Sequence, residues 1–275
     1  MSRRAPYTAG KGTANNGVPR LLAEERRRKI LGLVETGGQV TITDLVKGLA
    51  VSAVTARGDL DALAAAGAVV RSHGGAVRRQ EPTRDYPVDF KATLHRAEKQ
   101  RIGEAAAHLV KPNETIILDS GTTTAEVARC LKTAKLYNVT VITNALNIAA
   151  ELATAPGISL IMIGGILRQI SSSFVGPQAE QMLRELRADR LFLAVDGFDL
   201  DIGPSTPDIL EAQLNGLMMK VAKETTIVAD ASKLGRRSLS RIGAIERVKR
   251  LITDSRAPAE FVAALQGRGV EVILV

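Results

Sequence analysis

The residues best suited to chemistry in this sequence form a short loop of small and hydroxylated side chains. Between an apolar run and an amphipathic run, the chain reads Asp119-Ser120-Gly121-Thr122-Thr123-Thr124. Glycine lets backbone amides approach an anion, threonine hydroxyls add donors, and a helix beginning here contributes the positive end of its dipole. A bound phosphate therefore suits this loop. A plain helix cap by Thr122 or Thr123 suits it equally, and the loop by itself leaves both interpretations open.

Two further loops place charged groups at the ends of apolar runs. Asp196 ends RLFLAVD, and Asp230 ends TTIVAD shortly before Lys233. A lysine can bind a phosphate or a sugar oxygen, and carboxylates suit sugar hydroxyls. Weaker candidates are Lys99, which precedes the first run, and Asn144, which ends VTVIT. If the runs are parallel strands, their carboxyl ends meet at one edge of a sheet, where ligands bind in open α/β folds.

The elements that must position these loops alternate in type. From Glu98 onwards, runs rich in Val, Ile and Leu alternate with amphipathic runs, beginning with TIILD and TTAEVARCL and ending with VEVILV. This repetition is typical of a mostly parallel sheet covered by helices on both faces. We therefore predict an α/β effector domain over 98–275.

The N-terminal part predicts a smaller helical module over 21–79. Helices are expected from Leu21, after Thr43 as an N-cap, and after Ser52 as an N-cap, with Gly37 and Gly38 closing the first. The side chains expected to pack inward are Leu22, Ile30, Leu33, Val34, Leu45, Val46, Leu49, Val54, Leu60 and Leu63.

The second and third of these helices predict a helix-turn-helix, whose last helix enters the major groove with its first turn against the base edges. Ser52 caps that helix and leaves Thr55, Ala56 and Arg57 at its free end, with Arg57 the best reader of bases or phosphates. The following AVVRSHGGAVRR predicts a β-hairpin with a glycine turn, which would be a wing. Its candidate DNA contacts are Arg71, His73 and Arg78.

The distribution of charge agrees with this division. Residues 1–80 contain 13 Lys and Arg against 6 Asp and Glu, whereas residues 81–275 contain 24 against 23. A basic module attached to a neutral one is expected of a protein that neutralises DNA phosphates. Several of these cations lie in the polar stretch 1–20, however, so a basic tail beside a solvated helix face would explain the charge as well.

Composition limits the other functions. One cysteine, Cys130, and three scattered histidines exclude a disulfide and a zinc site of ordinary spacing, and no cofactor is indicated. The sequence lacks both a secretion signal and an apolar run of the ~18 residues that span a bilayer, which predicts a cytoplasmic protein without membrane contact. We expect a disordered basic tail over 1–20 and a linker over 80–97.

The motifs together resemble the DeoR family of bacterial transcription regulators. The N-terminal signature of that family corresponds to Val51, Ser52, Thr55, Arg57, Asp59, Leu60, Leu63 and Gly67, followed by Arg71, His73, Gly74, Gly75 and Ala76. The resemblance continues through ILDSGTTT, VITNALNIAAEL, GGILRQISSSFVGP, ADASKLGRRS and VKRLITD. One departure is Gly58, where the family commonly has a second arginine; glycine costs about 1 kcal/mol of helix propensity there.

This resemblance implies an effector domain similar to the sugar-phosphate isomerases, with a phosphorylated sugar at the GTTT loop. The stretch DGFDLDIGPSTPDILEAQLN also looks like the branch that represses N-acetylgalactosamine utilisation. The expected function is a repressor of a sugar-catabolism operon, which binds double-stranded operator DNA and is relieved by the phosphosugar. Because helix-turn-helix proteins usually bind paired half-sites, a homo-oligomer, either dimer or tetramer, is expected.

The main rival function is a sugar-phosphate isomerase with an accessory N-terminal domain. Asp119, Asp196 and Lys233 could supply acid and base groups beside a phosphate. The helix-turn-helix, the uneven charge and the lack of a recognisable isomerase carboxylate set argue against it. A purely structural, partner-binding protein would explain the sheet but not the phosphate loop.

Overall fold

The structure is a computed structural model that describes residues 22–66, 68–78, 85–134 and 136–275. These residues group into two compact units that divide between Arg78 and Arg79. The tail predicted over 1–20 lies outside the described residues. Within the described ranges, no helix is both long and apolar enough to cross a membrane.

The first unit is three helices and a small antiparallel sheet, whose strands lie in the order β1-β3-β2. Ile30, Leu45, Ala56 and Leu60 are completely buried and form its centre. The helix-turn-helix and the hairpin predicted from the sequence are therefore both present. The elements are α1 (Ala23–Gly37), β1 (Gln39–Thr41), α2 (Ile42–Leu49), α3 (Ala53–Ala65), β2 (Val69–Ser72) and β3 (Gly75–Arg78).

Several local expectations for this unit were wrong. The N-cap of α2 is Thr41 and not Thr43, because the Thr41 hydroxyl accepts from the Asp44 amide at 3.1 Å while the Asp44 carboxylate accepts from the Thr41 amide at 3.1 Å. The side chains of Leu22, Leu33 and Val54 are exposed instead of packed inward. Leu22 precedes α1 as its N-cap, and Leu33 and Val54 lie on the outward faces of α1 and α3.

The second unit contains a seven-stranded sheet in the order β15-β14-β12-β9-β4-β5-β6, with every neighbouring pair parallel. The predicted α/β class is confirmed. Its elements are α4 (Val88–Thr93), α5 (Arg96–Ala107), β4 (Thr115–Leu118), α6 (Thr122–Thr133), β5 (Val139–Thr143), α7 (Leu146–Leu152), β6 (Ile158–Met162), β7 (Ile166–Arg168), β8 (Ser173–Val175), α8 (Pro177–Arg184), β9 (Ala188–Leu193), β10 (Gly197–Asp199), β11 (Gly203–Thr206), α9 (Ile209–Val221), β12 (Ala222–Val228), β13 (Ser240–Arg241), β14 (Val248–Thr253), α10 (Ala259–Gly267) and β15 (Glu271–Leu274).

Helices cover both faces of this sheet. Along β4, Ile116 and Leu118 belong to one buried cluster and Ile117 to the other, as the two-residue period of a strand requires. The short strands β7 and β8, and β10, β11 and β13, form separate antiparallel sheets. The parallel arrangement places the loops after β4, β5, β9 and β12 at one edge.

The predicted linker, 80–97, differs from the structure in its second half. Helix α4 occupies Val88–Thr93, and α5 begins at Arg96. Both helices contact α6. The stretch shows no clear helical period, because α4 has only six residues and none of them is buried.

Candidate functional site

The exposed end of α3 carries the residues proposed to read DNA. Ser52 caps the helix by accepting from the Thr55 amide at 3.1 Å, and the two hydroxyls are 2.8 Å apart. Arg57 is exposed, and the Val54 side chain is 77% exposed beside it. Ala56, which the sequence left as a possible surface residue, is completely buried. Val54 was missed because an apolar residue in a helix is normally assigned to the core.

A buried carboxylate holds this helix against α1. Asp59 accepts a hydrogen bond from Arg26 Nη2 at 3.0 Å and another from Arg27 Nε at 3.1 Å, and its side chain is 2% exposed. These contacts fix the angle between the two helices, so Asp59 acts on the reading surface only through the position of α3.

The wing residues differ in whether their side chains make contacts within the unit. The Arg71 guanidinium donates to the carbonyl of Gly75 and pairs with Asp61 at 2.9 Å, so the hairpin itself occupies it. His73 is exposed in the turn. A Cβ at Gly75 would lie 2.1 Å from the carbonyl oxygen of Val40, which explains why glycine is needed where β1 meets the hairpin. Arg78 ends β3, and its side chain lies outside the described part of the chain.

In the second unit, the predicted phosphate loop leads directly into α6. Gly121 is the N-cap of this helix, and within the described residues no side chain caps it. Thr122 and Thr123 therefore do not serve as the cap, and their first-turn amides are available to an anion. A Cβ at Gly121 would lie 2.1 Å from Cβ of Ala194, so the loop is packed closely on the end of β9.

Two of the loop residues have an internal role. The Thr124 hydroxyl contacts Asp119 Oδ1 at 2.8 Å and the carbonyl of Gly121 at 2.7 Å. Asp119 Oδ1 also accepts from the amide of Ala194 at 3.1 Å. These bonds tie the loop after β4 to the end of β9, so Asp119 and Thr124 shape the loop. Ser120 is buried beside them.

Burial raises the pKa of Asp119 to about 7, against the opposing hydrogen bonds from Ala194 and Thr124. The unfolded chain, with an ordinary pKa of 3.8, therefore loses this proton at lower pH than the folded protein. The contribution of Asp119 to the free energy of unfolding falls as pH rises from about 3.8 to about 7, by up to about 1.4 kcal/mol per pH unit, and then levels off.

We expect Asp119→Asn to remove this decline, since asparagine keeps the Oδ1 acceptor but does not titrate. Chemical denaturation of both proteins across that pH window checks the prediction. Wild-type and variant curves that stay parallel would contradict it, and Asp89→Asn, at an exposed position of α4, is the matched control.

Three lysines gather at the same edge of the sheet. Lys91 Nζ lies 3.0 Å from Asp196 and 2.9 Å from Asp85, and Lys233 Nζ lies 3.9 Å from Asp196. Lys99 Nζ donates to the carbonyl of Lys91. The loops after β9 and β12 therefore meet as predicted. Lys91 and Asp85, which the sequence had assigned to the linker, join them.

The electrostatics of the lysines differ. Burial lowers the pKa of Lys99 to about 8, and the ammonium groups of Lys233 and Lys91 add to the effect while Asp230 opposes it. Burial also disfavours charge on Lys91, but Asp196 and Asp85 outweigh it and raise its pKa. Asp85 and Asp196 already neutralise part of this charge, so a further anion competes with these carboxylates for the ammonium groups.

A second group of side chains continues the site away from the phosphate loop. Arg168, on β7, contacts Asp85, lies 3.1 Å from Asp208 and lies 3.5 Å from Glu211. Burial raises the pKa of Glu211, although the guanidinium of Arg168 opposes the shift. These polar groups can accept and donate hydrogen bonds to a polyol. No motif in the sequence singled out Arg168 or Glu211, because β7 and α9 are far apart in the chain and meet only in the fold.

Asn144 follows β5, which pairs with β4 in a register that places Thr143 beside Leu118. It is 1% exposed, and its Nδ2 donates to the carbonyl of Phe174 at 2.8 Å. Its Oδ1 is buried and finds no hydrogen-bond partner among the described residues. A buried acceptor without a partner costs about 1 to 3 kcal/mol, which a ligand donor would recover.

Comparison with known families matches both units. Residues 26–81 match the family described as "DeoR-like helix-turn-helix domain". Residues 94–255, more than half of the chain, match "DeoR C terminal sensor domain". The chain belongs to the DeoR family. The resemblance drawn from the sequence motifs is thereby confirmed.

Individual proteins agree with membership of the DeoR family. The chain is 42% identical over 253 residues to the "Putative aga operon transcriptional repressor" of Escherichia coli O157:H7, which covers 91% of this chain and 93% of the relative. It is 31% identical over 235 residues to the "Lactose phosphotransferase system repressor" of Lactococcus lactis subsp. lactis, covering 85% and 91%. Both are named as transcription regulators.

Among solved structures, ribose 5-phosphate isomerase A from Methanocaldococcus jannaschii matches with a TM-score of 0.35 at 20% identity, over 50% of this chain and 53% of that chain. A likeness of this strength carries no argument about function.

Proposed function

We propose that this DeoR-family protein is a cytoplasmic repressor of a sugar-catabolism operon, which leaves its operator when a phosphorylated sugar binds in the second unit. The reading surface is Ser52, Val54, Thr55 and Arg57 on α3, together with Arg71, His73 and Arg78 on the hairpin. The proposal agrees with the names of the two relatives, a putative repressor of an aga operon and a repressor of a lactose phosphotransferase system.

The observation that carries the effector proposal is the group of cations beside the uncapped N-terminus of α6. The loop after β4 is joined to β9 through Asp119 and Ala194, and Asp196 after β9 is joined to Lys91 and Lys233. A phosphate on the amides of Thr122 and Thr123 would be stabilised by both the helix dipole and the ammonium groups. The unpartnered Oδ1 of Asn144 supports a hydroxyl or amide donor on the same ligand.

The direct test is selection of bound sequences from a random DNA pool, with and without a panel of pentose, hexose and amino-sugar phosphates. A recovered operator whose binding is weakened by one phosphosugar, and not by the same sugar without phosphate, is the expected result. Equal effects of the two sugars would overturn the phosphate site, and failure to enrich any sequence would overturn the repressor.

The rival isomerase keeps one argument, because Asp119 has a pKa suited to proton transfer. Its carboxylate is occupied by Ala194 and Thr124, however, which favours a structural role. Turnover assays on the same sugar phosphates separate the two functions. Removal of residues 1–80 would spare an enzyme and abolish a repressor.

We also expect the protein to form a homo-oligomer, either a dimer or a tetramer, held by the second unit, because one helix-turn-helix reads only one half-site. The recovered operator should contain two half-sites whose centres lie a whole number of helical turns apart. Light scattering on the full chain checks the assembly. A monomer at the concentration that saturates the operator would contradict this expectation.

A further inference from the structure

Asp85 is an acidic side chain placed between two cations of the candidate effector site. Its carboxylate lies 2.9 Å from Lys91 Nζ and also contacts the guanidinium of Arg168. The side chain is 15% exposed. In sequence, Asp85 lies between the last strand of the DNA-binding unit, which ends at Arg78, and helix α4 of the second unit.

The two cations have other partners that belong to the effector site. Lys91 also holds Asp196 at 3.0 Å, and Arg168 also lies near Asp208 and Glu211. Asp85 therefore supplies an anion from the connecting chain to positions that line the site. Lys91 is carried by α4, which contacts α6, so an anion at the N-terminal end of α6 would draw on the same ammonium group.

We propose that Asp85 is an internal counter-anion that the effector displaces, and that its release frees the segment 85–95 that continues from the DNA-binding unit. This inference rests on the proposed function. It names Asp85 as the residue through which effector binding reaches the connecting segment. In the free protein, Asp85 neutralises Lys91 and Arg168 and holds the segment against the second unit. In the liganded protein, the phosphate of the effector pairs with Lys91 and Arg168 in place of Asp85.

The charge of the competitor explains why a phosphorylated sugar is required. Asp85 is tethered, so its effective concentration at the cations is high and a neutral polyol cannot compete with it. A phosphate carries about −1.5 to −2 charges and three acceptor oxygens, compared with one charge on a carboxylate. The exclusion is mutual: an effector that weakens the Asp85 contacts must itself bind more tightly when those contacts are absent.

The first test compares Asp85→Asn with Asp89→Asn in the full chain, measuring operator affinity without any sugar. Asp89 lies in the same segment but is exposed on α4. We expect Asp85→Asn to weaken operator binding about 5- to 150-fold, the usual size of allosteric coupling, and to speed amide exchange in 85–95 while the central sheet stays protected. Asp85→Glu keeps the carboxylate and should restore both properties. Wild-type affinity and exchange in Asp85→Asn would overturn the inference.

A second measurement uses inorganic phosphate as the probe. Binding of inorganic phosphate is measured from the rise in melting temperature. Phosphate should speed amide exchange in 85–95 of the wild-type protein. Asp85→Asn should bind phosphate several-fold more tightly than wild type. Phosphate binding that leaves exchange in 85–95 unchanged would also overturn the inference. A wild-type operator complex that no phosphosugar weakens would instead contradict the proposed function, so the two failures are distinguishable.

Discussion

Lys233→Ala is expected to leave operator binding intact and to weaken the response to the phosphosugar about 10- to 150-fold. Lys233 ends the turn after β12, lies 3.9 Å from Asp196 and is 22% exposed, so its ammonium can reach a ligand at the edge of the sheet. Loss of a hydrogen bond to a charged partner costs about 1.5 to 3 kcal/mol, which corresponds to this range. In a cell, the phenotype is permanent repression.

The measurement is the affinity for the selected operator as a function of phosphosugar concentration, for wild type and variant. Lys223→Ala is a matched control, because Lys223 has the same charge but lies 77% exposed near the start of β12, paired with Asp189 at 2.7 Å. A Lys233→Ala protein that responds at wild-type concentrations would place the ligand elsewhere. A weakened response in Lys223→Ala as well would point to a general charge effect.

Substitution of Gly121 is a less suitable test of the same loop. A bulky side chain there would meet Cβ of Ala194 at 2.1 Å and would disturb the packing of the loop on β9 before it blocked any anion. Loss of response in such a variant would follow from either cause. Lys233 has no comparable packing role, so its variant separates binding from folding.

Arg57→Ala is expected to weaken binding to the selected operator by about 1 to 3 kcal/mol, or about 5- to 150-fold. An exposed guanidinium in the first turns of a recognition helix can bind a guanine through two hydrogen bonds. Its effect should be larger on the operator than on random DNA, because phosphate contacts do not depend on sequence. Competition binding against both DNAs measures the difference.

Arg184→Ala removes the same charge from an exposed position of the second unit and serves as the control. Equal losses on operator and random DNA would make Arg57 a phosphate contact, and no loss would remove it from the reading surface. Gly58→Arg is the complementary variant. A Cβ at Gly58 meets no described atom within 4 Å, so α3 has room at this position for the first side-chain carbon of the arginine common in the family.

Wild-type affinity should also fall steeply with added salt, since phosphate neutralisation supplies much of the binding. Most of the net positive charge lies before residue 81, which confines this effect to the DNA-binding unit. Arg57→Ala should lower the salt slope by no more than about one phosphate contact.

The sequence by itself determined the class of both units. Period-two and helical apolar patterns, a capped α3 and the HGG turn are local features, so the helix-turn-helix, the hairpin and the parallel sheet were predictable from neighbouring residues. The parallel order of the strands also predicted that the loops ending at Asp119, Asp196 and Asp230 would share one edge. Local rules failed where two positions could serve one role, as with Thr41 and Thr43 at the N-cap of α2. They also failed where an apolar residue is exposed, as with Val54.

Only the tertiary structure decided which of the charged groups meet. Arg168 lies far from Asp85 and Lys91 in the sequence and shares no spacing signal with them, because the fold and not the chain brings β7 to the same site. The tertiary structure also separated the residues that shape the loop after β4 from those that can face a ligand. Thr122 and Thr124 are the same residue type in the same loop. The Thr124 hydroxyl nevertheless donates to Asp119 and Gly121, because the first helical turn directs it back at the loop.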